Sequence, residues 1–249
     1  MKIVKVPSSQ GSLGKNLGCE KAPDFILKTL FIEKASLKKG IAIDEVKVNP
    51  NNIDETNENI EKAQGDIFLG GDHGITYSLF KGFCKNNKNF GLLIFDAHPD
   101  SSFYVKSISH EDFVRKLVDD GFLDKKNLVY VGVRKSGKSE INFLKDVKTI
   151  SVGEVESDLE KVVQELISFF KDFKQFYMSI DIDVLDPSFA PGTGYLEPLG
   201  LNMKELVYLI SKLKLLKNLK RIDLVEVNPD KDVNLITVKN AAKILHELL

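Results

Sequence analysis

The sequence predicts an α/β protein built on a parallel sheet, and three observations carry that expectation. Short apolar, strand-like runs alternate with amphipathic, helix-like segments almost from end to end. A chain of 249 residues, 43% of them hydrophobic, can bury the core of one large α/β domain or two small ones. Acids and imidazoles collect where the strand-like runs stop, and parallel sheets and eight-stranded barrels place their sites there.

In chain order the expected strands are 1–6, 45–48, 66–70, 90–96, 128–134, 148–152, 175–181 and 221–227. Continuous apolar stretches such as "FGLLIFD" and "QFYMSID" suit strands covered on both faces. The expected helices are 22–32, 75–86, 111–122, 158–173, 203–216 and 238–249, where apolar residues recur at the helical period. No Ser/Gly linker, low-complexity block or internal repeat divides the chain, so residues 1–249 are expected to form one domain. Two loops are long: the one after Asp96 and the one over 184–201, stiffened by Pro187, Pro191 and Pro198.

Composition removes several classes of function. The net charge is -1, and the arginines are only Arg115, Arg134 and Arg221, which argues against a nucleic-acid partner. No apolar run reaches the roughly 18 residues of a membrane span, and "MKIVKVPSSQ" is too short in apolar residues for a signal peptide. Cys19 and Cys84 form no C-x-x-C pair, and a reducing cytoplasm is the expected location.

The polar residues at the strand ends carry the chemistry. "GGDH" supplies Asp72 and His73, "FDAHPD" supplies Asp96, His98 and Asp100, "SIDIDVLD" supplies Asp181, Asp183 and Asp186, and "VEVNPD" supplies Glu226. Spacing by two would turn Asp96, His98 and Asp100 to one face of an extended segment, and likewise Asp181 and Asp183. Buried carboxylates at that density need positive charge, and the arginines are too few to provide it. Divalent cations are the simplest answer. Four carboxylates with two imidazoles and no thiolate suit manganese, with iron, cobalt, nickel or zinc as alternatives. Six ligands exceed what one catalytic zinc takes and suit two metals bridged by a carboxylate. Asp72 is expected to cap the next helix, Asp186 before Pro187 to form a turn, and Arg134 to make a structural ion pair. His246 reads as surface or core filler, and Cys84 as core.

Three blocks in this order, "GGDHGIT" (70–76), "FDAHPDSS" (95–102) and "SIDIDVLDPSFAPGTG" (179–194), resemble the ureohydrolase family, which includes arginase, agmatinase and formiminoglutamase. "YVGVR" (130–134) and "LVEVNPDKD" (224–232) extend the resemblance over most of the chain. The resemblance implies a three-layer α/β/α sandwich around a mainly parallel eight-stranded sheet, with two Mn2+ ions at the strand ends. It implies that His73, Asp96, Asp100 and Asp181 hold one metal. Asp96, His98, Asp181 and Asp183 would hold the other. Glu226 matches the glutamate that receives the guanidinium group, and His110 the histidine suggested to pass a proton to the leaving amine. Asp183 would also stabilise the tetrahedral intermediate formed when hydroxide attacks the guanidinium carbon. Urea and an amine would be the products, and the family commonly forms trimers or hexamers, so a homo-oligomer is expected.

Departures from the family pattern bear on the substrate. Ser102 stands where arginase has asparagine, and Gly137 where an amino-binding aspartate is expected, while Glu140 remains. Agmatine or another decarboxylated guanidine is therefore favoured. Lys106 or Lys135 as a carboxylate partner keeps arginine, guanidinobutyrate and formiminoglutamate open. Tyr195 and Leu199 replace residues that are often small in the family and would narrow the entrance. Two-metal phosphoesterases need further histidines, and deacetylase-like amidohydrolases a tandem pair; the four present are His73, His98, His110 and His246. A regulatory pseudoenzyme that keeps the fold is the non-enzyme alternative, and it would bind no metal.

Overall fold

The computed structural model describes residues 1–85, 89–104 and 107–249. Its strands are β1 (Lys2–Val6), β2 (Ala42–Glu45), β3 (Ile67–Gly70), β4 (Phe90–Phe95), β5 (Leu128–Val131), β6 (Lys148–Ile150), β7 (Gln175–Asp181) and β8 (Leu219–Val225). They form one eight-stranded sheet in the order β2-β1-β3-β8-β7-β4-β5-β6, and every pair is parallel. Its helices are α1 (Ala22–Glu33), α2 (Ile53–Lys62), α3 (Ile75–Cys84), α4 (Phe113–Asp119), α5 (Lys138–Leu144), α6 (Val152–Ser157), α7 (Leu159–Phe170), α8 (Met203–Leu213) and α9 (Ile236–Leu248).

The helices make the two outer layers because successive strand residues face opposite sides. Leu93 and Phe95 of β4 pack with α1 and α6–α9, while Leu92 and Ile94 pack with α2–α5. Burying each such side chain stabilises the fold by roughly 1.5–3 kcal/mol. The predicted α/β sandwich is thus the observed one. No helix among the described residues is long and apolar enough to cross a membrane.

Seven strands lie where the sequence places them, but β2 forms at Ala42–Glu45 instead of 45–48. This edge strand pairs with β1 alone and all four of its residues are exposed, so it has no apolar signature. Helices α2, α5 and α6 were not expected from periodicity. They start on local caps: Asn52 accepts from Glu55 N, and Ser151 and Glu154 form a capping box before α6. The helix expected over 75–86 stops at Cys84, and Asn86 lies outside the described residues.

The strand order places the site. β3 and β4 are consecutive along the chain, yet β8 and β7 lie between them in the sheet. The carboxyl ends of β3, β8, β7 and β4 therefore sit side by side at the point where the winding reverses.

Candidate functional site

The chain leaving β3 turns through Gly70 and Gly71 into His73. A Cβ on Gly71 would lie 1.9 Å from the Ser8 carbonyl oxygen, so only glycine lets the N-terminal loop pack there. Asp72, which is buried, accepts from Gly11 N at 3.0 Å and Gly74 N at 2.9 Å. It thus ties this turn to the N-terminal loop, rather than standing as the cap residue of α3, a position held by Gly74. Burial first, and Glu226 second, push its carboxyl up to about 7.

His73 is fully buried, and its Nδ1 lies 3.1 Å from Asp96 Oδ2, 3.0 Å from Asp100 Oδ2 and 3.1 Å from Asp181 Oδ2. Its other nitrogen, Nε2, is 2.8 Å from Ser179 Oγ. The Ser179 hydroxyl donates to Asp223, whose second oxygen accepts from Tyr177 at 2.6 Å and Thr76 at 2.8 Å. With its proton given to Asp223, Ser179 can only accept from His73, which puts a proton on Nε2 and turns Nδ1 toward the carboxylates. Ser179 and Asp223 face each other in the β7–β8 register. Sequence reasoning missed this pair, although a serine and an aspartate inside apolar strands were the available signal. Replacing Asp223 by asparagine should weaken metal binding by about 10–100-fold, as loss of an outer-shell partner does. Metal titration by calorimetry checks this, with the circular dichroism spectrum unchanged; equal affinity in the variant would show that the relay is not needed.

A second group forms beside the first. His98 Nδ1 lies 3.0 Å from Asp183 Oδ2 and 3.6 Å from Asp96 Oδ1. Two clusters, His73–Asp96–Asp181 and Asp96–His98–Asp183, each have ligand atoms within 4.8 Å of one another, and Asp96 belongs to both. Asp100 joins the first cluster through its contact with His73.

These residues converge, but strand alternation is not the cause. β4 ends at Phe95, and 96–100 is a bent loop in which Asp100 has φ 44. β7 ends at Asp181, whose Oδ1 accepts from Asp183 N at 2.8 Å as it caps a short 3-10 turn over Ile182–Val184. Ala97 N in turn donates to Asp183 Oδ1 at 3.1 Å. Glu226, just beyond β8, also has a left-handed backbone, φ 65. Each such residue costs on the order of 1–3 kcal/mol, a cost seen mostly at functional sites.

The electrostatics suit divalent cations. Burial opposes charge on His73, yet Asp100, Asp181 and Asp96 raise its affinity for a proton well above the ordinary imidazole value. His98, likewise opposed by burial, is pushed up to about 12 by Asp183 and Asp96. Burial and then Asp96 push Asp100 up to about 8; burial, then Asp183 and Asp96, push Asp181 well above the carboxylate range. Nδ1 of His73 and Oδ2 of Asp96 are buried with no hydrogen-bond partner, despite their proximity. A cation between the rings and the carboxylates would satisfy both atoms and hold all four acids ionised. The donor set of imidazole and carboxylate fits manganese.

Next to these clusters lies a cavity of ≈ 240 Å³ lined by His98, Asp181, Asp183, His110, Glu226 and Tyr195, among others. Glu226 Oε1 accepts from His73 N at 2.6 Å and faces His110 Nδ1 at 3.1 Å. Glu226 Oε2 accepts from Asn16 Nδ2 at 2.6 Å. Burial works against the Glu226 carboxylate, but His110 and the His73 amide bring its pKa below the usual value. Asn16 was not foreseen, because nothing local marks a loop residue as the partner of one 210 positions away.

Arg134 makes no ion pair among the described residues, contrary to expectation. It donates instead to the carbonyl oxygens of Gly132, Asp183, Val184, Leu185, Glu197 and Pro198. Asp186 does form a turn, accepting from Ser188, Leu199 and Gly200. Lys135 lines the cavity mouth, whereas Lys106 lies outside the described residues.

Known proteins match both the sequence and the fold. The model of the Arginase family matches residues 1–249. An agmatinase of Bacillus subtilis (strain 168) is 32% identical over 194 residues, 76% of this chain and 64% of that protein. An arginase of Staphylococcus aureus (strain COL) is 30% identical over 243 residues, 89% of this chain and 80% of that protein. The crystal structure of arginase from Bacillus subtilis superposes with a TM-score of 0.88 at 24% identity, covering 100% of this chain and 97% of that one.

Proposed function

Because this chain belongs to the arginase family, whose members hydrolyse C–N bonds in amidines, we propose that it releases urea from a linear guanidine, agmatine favoured, with two manganese ions. The observation that carries the reading is that Glu226 and His110 line one cavity with His98, Asp181 and Asp183 of the two Asp/His clusters. His73, Asp96, Asp100 and Asp181 would hold one ion; Asp96, His98, Asp181 and Asp183 the other. When bound, the ions would supply the nucleophile by lowering the pKa of water.

The chain's own residues do the rest. Glu226, fixed by Asn16, His73 N and His110, presents a buried carboxylate to the guanidinium group and orients its plane. Asp183, held by Ala97 N, faces the same space and stabilises positive charge on the nitrogens as the carbon becomes tetrahedral. His110 Nδ1 points to Glu226, while its buried Nε2 has no hydrogen-bond partner. Nε2 is thus free to give a proton to the departing amine.

Burial lowers the proton affinity of His110, but Glu226 outweighs it and the pKa is pushed up to about 9. His110 is then protonated at neutral pH. In protein stripped of metal, its ion pair stabilises the fold fully below the ordinary value near 6.5 and loses that effect as pH rises through about 9. An NMR titration of the His110 ring should give this value, and Glu226→Gln should bring it back toward 6.5. An unshifted ring in the parent protein would remove His110 as a proton donor of this kind.

Relatives named agmatinase and arginase match at nearly equal identity, so the choice of agmatine rests on Ser102 and on Gly137, which leaves no carboxylate at that position. The deciding experiment loads the protein with manganese and assays urea release from agmatine and arginine in parallel. Urea from agmatine alone supports the reading. Urea from arginine alone moves the substrate to arginine, and urea from neither with two metals bound directs attention to formiminoglutamate and guanidinobutyrate.

A further inference from the structure

Tyr195 occupies a place that neither the metal clusters nor Glu226 explains. Its ring centroid lies 5.4 Å from that of His98 and 5.9 Å from that of His110, with the His110 ring stacked at 28°. It therefore spans from the metal cluster to the proton donor along one wall of the cavity. The floor residues Asp181, Asp183, His110 and Glu226 are buried, whereas Tyr195 is half-buried, so the ring stands between floor and mouth.

The ring is fixed from outside the reaction centre. Its hydroxyl donates to Glu111 Oε1 at 2.6 Å, and the same oxygen is 2.7 Å from Lys15 Nζ. Lys15 also sits 5.5 Å from the ring centroid. Three separated segments, the N-terminal loop, the loop before α4 and the 184–201 loop, meet in this triad. Because the Tyr195 hydroxyl gives its proton to Glu111, the ring offers a passing substrate width-limiting bulk and an apolar wall, but no hydrogen-bond donor.

We propose that Tyr195 is the specificity-determining residue that restricts the site to guanidines with an unbranched chain. The inference rests on the guanidine reading above and adds a selection rule to it. A methylene chain is narrow and gains from contact with an aromatic face. An α-amino acid end carries an ammonium and a carboxylate on one carbon. It needs more width, and its carboxylate would lose water beside a wall that donates nothing.

The test compares wild type, Tyr195→Phe and Tyr195→Ala, each loaded with manganese and matched for melting temperature and metal content. Wild type should prefer agmatine to arginine in kcat/KM. Tyr195→Ala should shrink that preference by at least about tenfold, the scale at which pocket size discriminates, mostly through a lower KM for arginine. Tyr195→Phe, which keeps the wall, should leave it within about threefold on the same scale. A preference unchanged in Tyr195→Ala, equal loss in Tyr195→Phe, or a wild type that favours arginine overturns the proposal. Urea from neither compound overturns the choice of agmatine by itself. Calorimetric binding of agmatine and arginine then reads the wall: tighter agmatine binding lost in Tyr195→Ala sustains it, and equal or absent binding in wild type overturns it.

Discussion

Replacing Asp96 by asparagine is expected to lower urea release by about 10²- to 10⁴-fold, the consequence of leaving buried charge without its partner at about 3–5 kcal/mol. Asp96 belongs to both Asp/His clusters and, with Asp181, is placed at both proposed ion sites, so its loss reaches both at once. Oδ1 accepts from His98 N at 2.6 Å, and Oδ2 faces His73 Nδ1 at 3.1 Å. Asparagine keeps the volume and one oxygen but replaces the other with a donor that points at a ring nitrogen or a cation. Metal content measured after dialysis should fall at both sites together. A variant that keeps two metals per chain and full turnover would mean that Asp96 serves neither cluster.

Glu226→Gln separates substrate recognition from metal binding. Both Glu226 oxygens are held by protein donors, and neither lies in the Asp/His clusters. The variant should therefore bind metal as the parent does. Yet it should lose about 30- to 10⁴-fold in kcat/KM, the range for truncating one side of a buried charge pair at about 2–5 kcal/mol. If instead metal affinity falls and KM for the guanidine is unchanged, Glu226 supports the metal centre and does not read the substrate. Asp96 and Glu226 thus make opposite predictions for metal content while both abolish most of the activity.

Much of this centre was legible in the sequence because polar residues stand out where apolar runs stop. His73, Asp96, His98, Asp100, Asp181, Asp183, His110 and Glu226 all lie together. The geometric reason given by alternation was nevertheless wrong. The bend at Asp100 and the short turn after Asp181 do that work, and neither follows from residue spacing. The strands facing both layers were equally visible, whereas β2 lacked any buried residue and α2 any long apolar stripe. Asn16, Glu111 and Lys15 were invisible for a different reason. They are loop or surface residues whose partners are distant in sequence, so only the folded chain reveals what they hold.

The brace at Arg134 also bears on timing. One guanidinium gathers six carbonyl oxygens from Gly132 and the 183–198 segment, so the loop that carries Asp183, Tyr195 and Glu197 is already in place before any ligand arrives. A ligand then meets a finished entrance and has no loop to order, which keeps the association step simple. Stopped-flow binding should give one exponential whose rate rises linearly with ligand concentration. A rate that levels off would reveal a slow rearrangement, and the loop would then be a moving part after all.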